Sequence, residues 1–150
     1  MPGVGVTIRV GGDAPKRVRD LLERIRDQAA FFAAASELML DATQENFASQ
    51  SSPEGDAWAP LAPATVEERG SASPILERSG ALRAGIHAAP EATRAVVRSL
   101  PLPYAAIHQQ GGQAGRNRAV TVPARPYLGW GPKSIAEVTE LAEEMILGGF

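Results

Sequence analysis

The chain has 150 residues, 44% of them apolar and 21% charged, with a formal net charge of −2 and no cysteine. That length fits one domain with a sizeable core, since such a chain buries roughly 68–70% of the surface its unfolded state exposes, and the composition is that of a soluble globular protein. Disulfides, thiolate nucleophiles and sulfur-bound zinc are excluded, the slight acidity argues against nucleic-acid binding, and no apolar run reaches the roughly 18 residues of a membrane span.

The first residues lack the basic segment and continuous apolar stretch of a targeting signal. Instead Val4, Val6, Ile8 and Val10 alternate with Gly5, Thr7 and Arg9, the period-two pattern of a half-buried strand. Gly11-Gly12-Asp13 breaks it, and Asp13 is placed to cap a helix with Pro15 in its first turn. Val18, Leu21, Leu22, Ile25, Ala29 and Phe32 follow at helical spacing. Continued through Met39, Leu40, Thr43 and Phe47, the pattern predicts a helix from about residue 14 to about residue 47, about 50 Å long. A compact domain of this size is only about 40 Å across, so the helix must break or project. Its middle is thin, with Ala29, Ala30, Ala33, Ala34 and Ala35; that permits close approach by another element, or simply reflects good helix formers.

Residues 48–63 read as a long polar loop with one large anchor, Trp58. Thr65 and Glu68 have capping-box spacing for a short helix. After a second interruption at residues 70–74, Leu82, Ala84, Ile86 and Ala88 alternate with Arg83, Gly85 and His87 as a half-buried strand, and residues 90–93 turn the chain into a return strand near residues 95–99. Residues 104–110 look like a short helix ended by Gly111-Gly112, and residues 119–122 like a third strand. Ser134 and Glu137 form a capping box for a last helix with the stripe Ile135, Val138, Leu141, Ala142 and Met145, ended by Gly148-Gly149. The expectation is a single α+β domain over residues 1–150, a small antiparallel β-sheet packed with one long N-terminal helix and a C-terminal helix.

Groups able to do chemistry are sparse. Of the two histidines, His87 reads as a solvent-facing strand residue and His108 as a structural hydrogen-bonding or helix-terminal residue more than a base. Neither belongs to an H-E-x-x-H motif, and no G-x-S-x-G elbow is present. Residues 111–118 superficially resemble a phosphate loop but lack the Gly-Lys-Ser/Thr ending and follow a helix; they read as a flexible surface loop whose Arg116 and Arg118 would touch phosphate only weakly. Glu67-Glu68 and Glu143-Glu144 read as solvated faces, so no metal, cofactor or catalytic residue is assigned.

Four stretches carry a resemblance: Gly55-Asp56-Ala57-Trp58-Ala59-Pro60-Leu61 followed by Pro63-Ala64-Thr65; Ile75-Leu76-Glu77-Arg78-Ser79-Gly80-Ala81-Leu82-Arg83; Tyr104-Ala105-Ala106-Ile107-His108-Gln109-Gln110-Gly111-Gly112; and Val122-Pro123-Ala124-Arg125-Pro126-Tyr127-Leu128-Gly129. In that order they resemble the phage virion morphogenesis family, the tail-completion proteins of Mu-like phages and prophages. The resemblance implies a non-enzymatic structural protein, in the virion or in the host bacterial cytoplasm during assembly. It would complete the tail or join tail to head by contacts with other tail or head–tail connector proteins.

Trp58 and Tyr127 are amphipathic aromatics in proline-rich loops, suited to an interface, although Trp58 fits equally as a lid over its own core. Pro123, Pro126 and Gly129 restrict the backbone around Arg125, which would aim its planar fork at a neighbour's carboxylate or at a helix glutamate of its own chain. Leu61, Tyr104, His108, Arg116 and Arg118 complete the interface candidates, and a homo-oligomeric ring built on a sheet edge, the long helix and these loops is expected. Two other readings remain: a small DNA-binding or DNA-processing phage protein acting through Arg116 and Arg118, and an assembly chaperone absent from the mature virion.

Overall fold

A computed structural model of the chain describes residues 26–147 together with Lys16, Asp20 and Glu23. The strand expected over residues 4–10 and the glycines expected to end the last helix lie outside the described residues. The fold is α+β, with a long helix near the N-terminus, a helix near the C-terminus and, among the described residues, antiparallel strand pairing in two small hairpins.

The long helix does break. Lys16, Asp20, Glu23 and Arg26 are helical, but Asp27 leaves helical geometry (φ −82°, ψ 61°) and its carboxylate accepts from the Ala30 N–H, capping a new helix, α1 (Gln28–Ser49). At 22 residues α1 is about 33 Å long, a length the domain accommodates. It ends where Gln50 turns left-handed (φ 56°) and its N–H returns to carbonyls of the last turn. The alanine-rich middle does bring another element close: Ala35 and Ser36 are fully buried, and Ser36 Oγ accepts from the Val96 N–H at 2.9 Å while donating to Phe32 O at 2.8 Å.

The short helix α2 (Pro63–Arg69) starts one turn earlier than its expected capping box. Ala62 is its N-cap with no side-chain bond, Pro63 sits in the first turn, and the Glu68 carboxylate bonds Arg78 instead. A second correction concerns residues 81–88. Ala81–Ala84 form one helical turn, α3, entered through left-handed Gly80, and only Ile86–Ala88 are strand β1. Leu82 and Ile86 are both buried; their spacing of four suits a helical turn as well as an alternating strand, and Ala, Leu and Arg favour the helix. The return strand β2 (Val97–Ser99) pairs antiparallel with β1, Ile86 opposite Ser99 and Ala88 opposite Val97.

Helix α4 (Ala105–Gln110) ends at left-handed Gly111 (φ 72°), where a Cβ would stand 2.8 Å from the Ala124 nitrogen. Residues 111–118, expected as a flexible loop, include a strand. β3 (Gly112–Ala114) pairs antiparallel with β4 (Val120–Val122), and a 3₁₀ turn (Arg116–Arg118) joins them with Asn117 and Arg118 both at positive φ. Gly-Gln-Ala has little strand propensity, so the pairing comes from its partner and its glycine turns.

The last helix, α5 (Pro132–Leu147), packs on α1. Ser134 lies in its first turn and is not its cap; Ser134 Oγ accepts from the Gly131 N–H at 3.0 Å and donates to Gly131 O at 3.1 Å. Val138, Leu141, Ala142 and Met145 are half-buried, as their spacing requires, whereas Ile135 is exposed. The core sits where the C-terminal half of α1 meets the loops and the first hairpin: Phe47, Trp58, Leu82, Ile86 and Tyr127. The Phe47 ring meets Trp58 edge-on and Tyr127 at a tilt, each with centroids 5.4 Å apart.

Candidate functional site

Trp58, Arg125 and Tyr127 are turned inward and are 5%, 5% and 2% exposed. Each is held by a backbone carbonyl of a different segment. Trp58 Nε1 donates to Pro126 O at 2.7 Å, and Tyr127 Oη donates to Ala105 O at 3.1 Å. Arg125 donates from Nε to Ala59 O at 2.7 Å and from Nη2 to Pro60 O at 2.8 Å. Arg125 therefore does aim a rigid fork, but at two carbonyls; among the described residues no carboxylate lies within ion-pair distance of it. Removal from water lowers its pKa from the ordinary value, yet guanidinium remains charged, so a cation is buried here with neutral partners alone.

The remaining segment of the four is fixed by polar side chains of α1 and its cap. Gln50 bonds the backbone N–H of Ile75 through Oε1 and Phe47 O through Nε2 at 2.8 Å. Gln44 Oε1 accepts from Arg83 Nε at 2.8 Å, Arg83 Nη1 reaches Glu77 at 3.0 Å, and the guanidinium lies 6.0 Å from the Phe47 ring centre. Asn46 Nδ2 donates to Tyr127 O at 3.1 Å. Gln44, Asn46 and Gln50 lie outside the four stretches, and no sequence motif marks glutamine or asparagine for these roles.

The interlock leaves a groove of about 560 Å³ between α2, the residues leading into α3, and α4. Leu61, Leu76 and Leu82 make apolar wall, Tyr104 stands at its mouth, His108 and Arg125 lie along it, and Arg69 and Arg78 flank it. No carboxylate lines it, though the lining Arg78 pairs with Glu68 at 3.2 Å. A chain of net charge −2 thus carries a locally cationic, apolar-walled groove.

Four of the eight residues singled out from sequence, Leu61, Tyr104, His108 and Arg125, line this groove, and Trp58 and Tyr127 lie behind it in the core. Arg116 and Arg118 are not part of it; they are exposed on the turn of the second hairpin. Of the two structural roles expected of His108, it takes the helix-terminal one, in the last turn of α4; its Nδ1 is buried and bonds nothing among the described residues, while its ring meets Tyr104 edge-on at 5.9 Å. Burial, then the Arg125 charge, holds its imidazole below the usual range and so favours the neutral ring. His87 is exposed on β1, as expected. Among the described residues no three His, Asp or Glu side chains converge for a metal ion, and no helix is long and apolar enough to cross a membrane.

The sequence matches the phage virion morphogenesis family over residues 13–146. Over 38 residues it is 58% identical to Mu-like prophage FluMu G protein 2 of Haemophilus influenzae, a stretch covering 25% of this chain and 28% of that protein's length. No solved structure matches the chain.

Proposed function

The chain belongs to the phage virion morphogenesis family, which carries a role in building the phage particle, and from that premise we propose that it completes the tail or joins tail to head through protein–protein contacts. The observation that carries this reading is the convergence of the four family-like stretches. Buried residues of three of them lock one another by side-chain-to-carbonyl bonds, the other is held to α1, and residues from all four line a single surface groove. Such an arrangement presents a fixed surface, the need of an assembly protein, and the partners are other tail or head–tail connector proteins.

A ring of copies is part of the proposal. Trp130 and Ile135 at the start of α5 and Ile146 and Leu147 at its end are exposed large apolar side chains, the kind of surface that contact between copies would cover. The protein acts in the virion or in the host cytoplasm during assembly, with no chemical step assigned to it. The test is deletion of the gene in an inducible prophage that encodes it. Heads and tails that accumulate unjoined in electron micrographs are the expected result; a normal yield of joined particles overturns the reading. Mass spectrometry of finished particles then separates a permanent component from a chaperone that departs.

A further inference from the structure

We propose that the groove lined by Leu61, Leu76, Leu82 and Tyr104 docks an extended segment of a partner protein in which a carboxylate is flanked by apolar side chains. The inference rests on the protein-contact reading above and names the chemistry of the occupant. Charge complementarity is its main support. Arg69, Arg78 and Arg125 all line the groove, and no acidic residue does. Arg125 is the unusual one, a buried guanidinium whose Nε and Nη2 are given to neutral carbonyls. A buried cation is normally met by an anion; with Nε and Nη2 taken by carbonyls, Arg125 would act on a docked carboxylate through its charge, and the fork contact would fall to Arg69 or Arg78. Arg78 already pairs with Glu68, but Arg125 is buried without a carboxylate among the described residues; a docked carboxylate would offset that charge in surroundings where the attraction is weakly screened.

The apolar wall fixes the rest of the segment's character. A groove of about 560 Å³ falls within the range of roughly 300–1,000 Å³ that encloses a few side chains rather than a whole domain face. Three leucines and a half-exposed tyrosine reward apolar side chains beside the acid, which a phosphodiester backbone does not offer. Unlike Arg125, Arg69 and Arg78 serve no buried hydrogen bond, so they can be changed without dismantling the core.

The experiment uses the purified full chain on an array of overlapping peptides covering the tail and head-connector proteins encoded beside it, with the chain's own peptides included. The expected result is binding to segments holding Asp or Glu next to Leu, Ile or Phe, weakened about tenfold or more by Glu→Gln in the peptide, by the double variant R69E/R78E, and by Tyr104→Ala. Unchanged thermal melting of both variants excludes unfolding as the cause. The proposal is overturned by an array without binding, by peptides that bind as well without their carboxylate, by binding confined to the chain's own peptides, or by a short DNA oligonucleotide that displaces the peptide. Deletion of the gene separates the two levels. Particles lost on deletion alongside an empty array sink the groove inference alone, whereas particles that form without the gene sink the functional reading beneath it.

Discussion

The side-chain amide of Gln109 pairs with the backbone of Leu128 in both directions: Oε1 accepts from the Leu128 N–H at 3.0 Å, and Nε2 donates to Leu128 O at 2.7 Å. The same Oε1 also accepts from the Tyr127 N–H at 3.0 Å. A helix side chain thus stands in for a neighbouring strand and satisfies three backbone groups of a segment that has no sheet partner. Replacing Gln109 by Leu keeps the apolar bulk but leaves those groups unpaired, at about 1 kcal/mol or more each, so about 3 kcal/mol in all. Urea unfolding of Gln109→Leu measures it; a loss under about 0.5 kcal/mol would show that water replaces the amide at no penalty.

Trp58 and Pro126 form a second such join, and Trp58→Phe isolates it. The substitution retains a ring against Phe47 but removes the 2.7 Å bond to Pro126 O. The expected loss is about 1–3 kcal/mol from the unpaired carbonyl and the smaller ring together. Because Trp58 lies behind the groove and outside its lining, peptide binding by the folded fraction should be unchanged; a large fall in affinity with intact melting would mean that Trp58 itself meets a partner.

These bonds explain what sequence could and could not reveal. The stripe of α5 and the return of the first hairpin were legible because helix and strand periods are local, and Val138, Leu141, Ala142 and Met145 recur at the spacing a packed helix demands. The start of β1 was not, because buried residues four apart fit one helical turn as well as an alternating strand, and Leu82 falls in the turn. Arg125 was legible as a held fork but not in its acceptor, since Ala59 and Pro60 lie more than sixty positions away and carbonyls leave no mark in sequence. Gln109, Gln50 and Asn46 are the extreme case: each acts across the fold on backbone, with no motif of its own.

Two glycines separate steric necessity from backbone conformation. A Cβ on Gly131 would stand 1.8 Å from Pro53 O, so Gly131→Ala must push apart the loop and the first turn of α5, where Ser134 bonds both backbone groups of Gly131. Gly70 has a left-handed backbone (φ 76°), but nothing lies within 4 Å of its would-be Cβ. Gly70→Ala should therefore cost about 1 kcal/mol, the usual penalty of a left-handed alanine, and Gly131→Ala at least about 3 kcal/mol, in the range of strong overpacking. Equal thermal shifts for the two variants would contradict the close packing of Pro53 on Gly131.

His108 should make stability depend on pH in a definite direction. Burial, reinforced by the charge of Arg125, lowers its folded pKa beneath the ordinary imidazole value of about 6.5. Above that value both folded and unfolded chains hold a neutral ring, and His108 contributes no pH dependence. As pH falls through about 6.5 the unfolded chain takes up a proton that the folded chain resists, so the folded state loses stability until pH reaches the lowered folded pKa, below which the penalty is constant. Stability attributable to His108 thus rises with pH across this window. Comparing melts of the parent chain and His108→Gln between about pH 7.5 and about pH 5.5, above the range where ordinary carboxylates titrate, isolates it. The parent should lose more stability than the variant as the pH drops; parallel curves would mean that the buried Nδ1 takes up its proton in the folded chain as readily as in water.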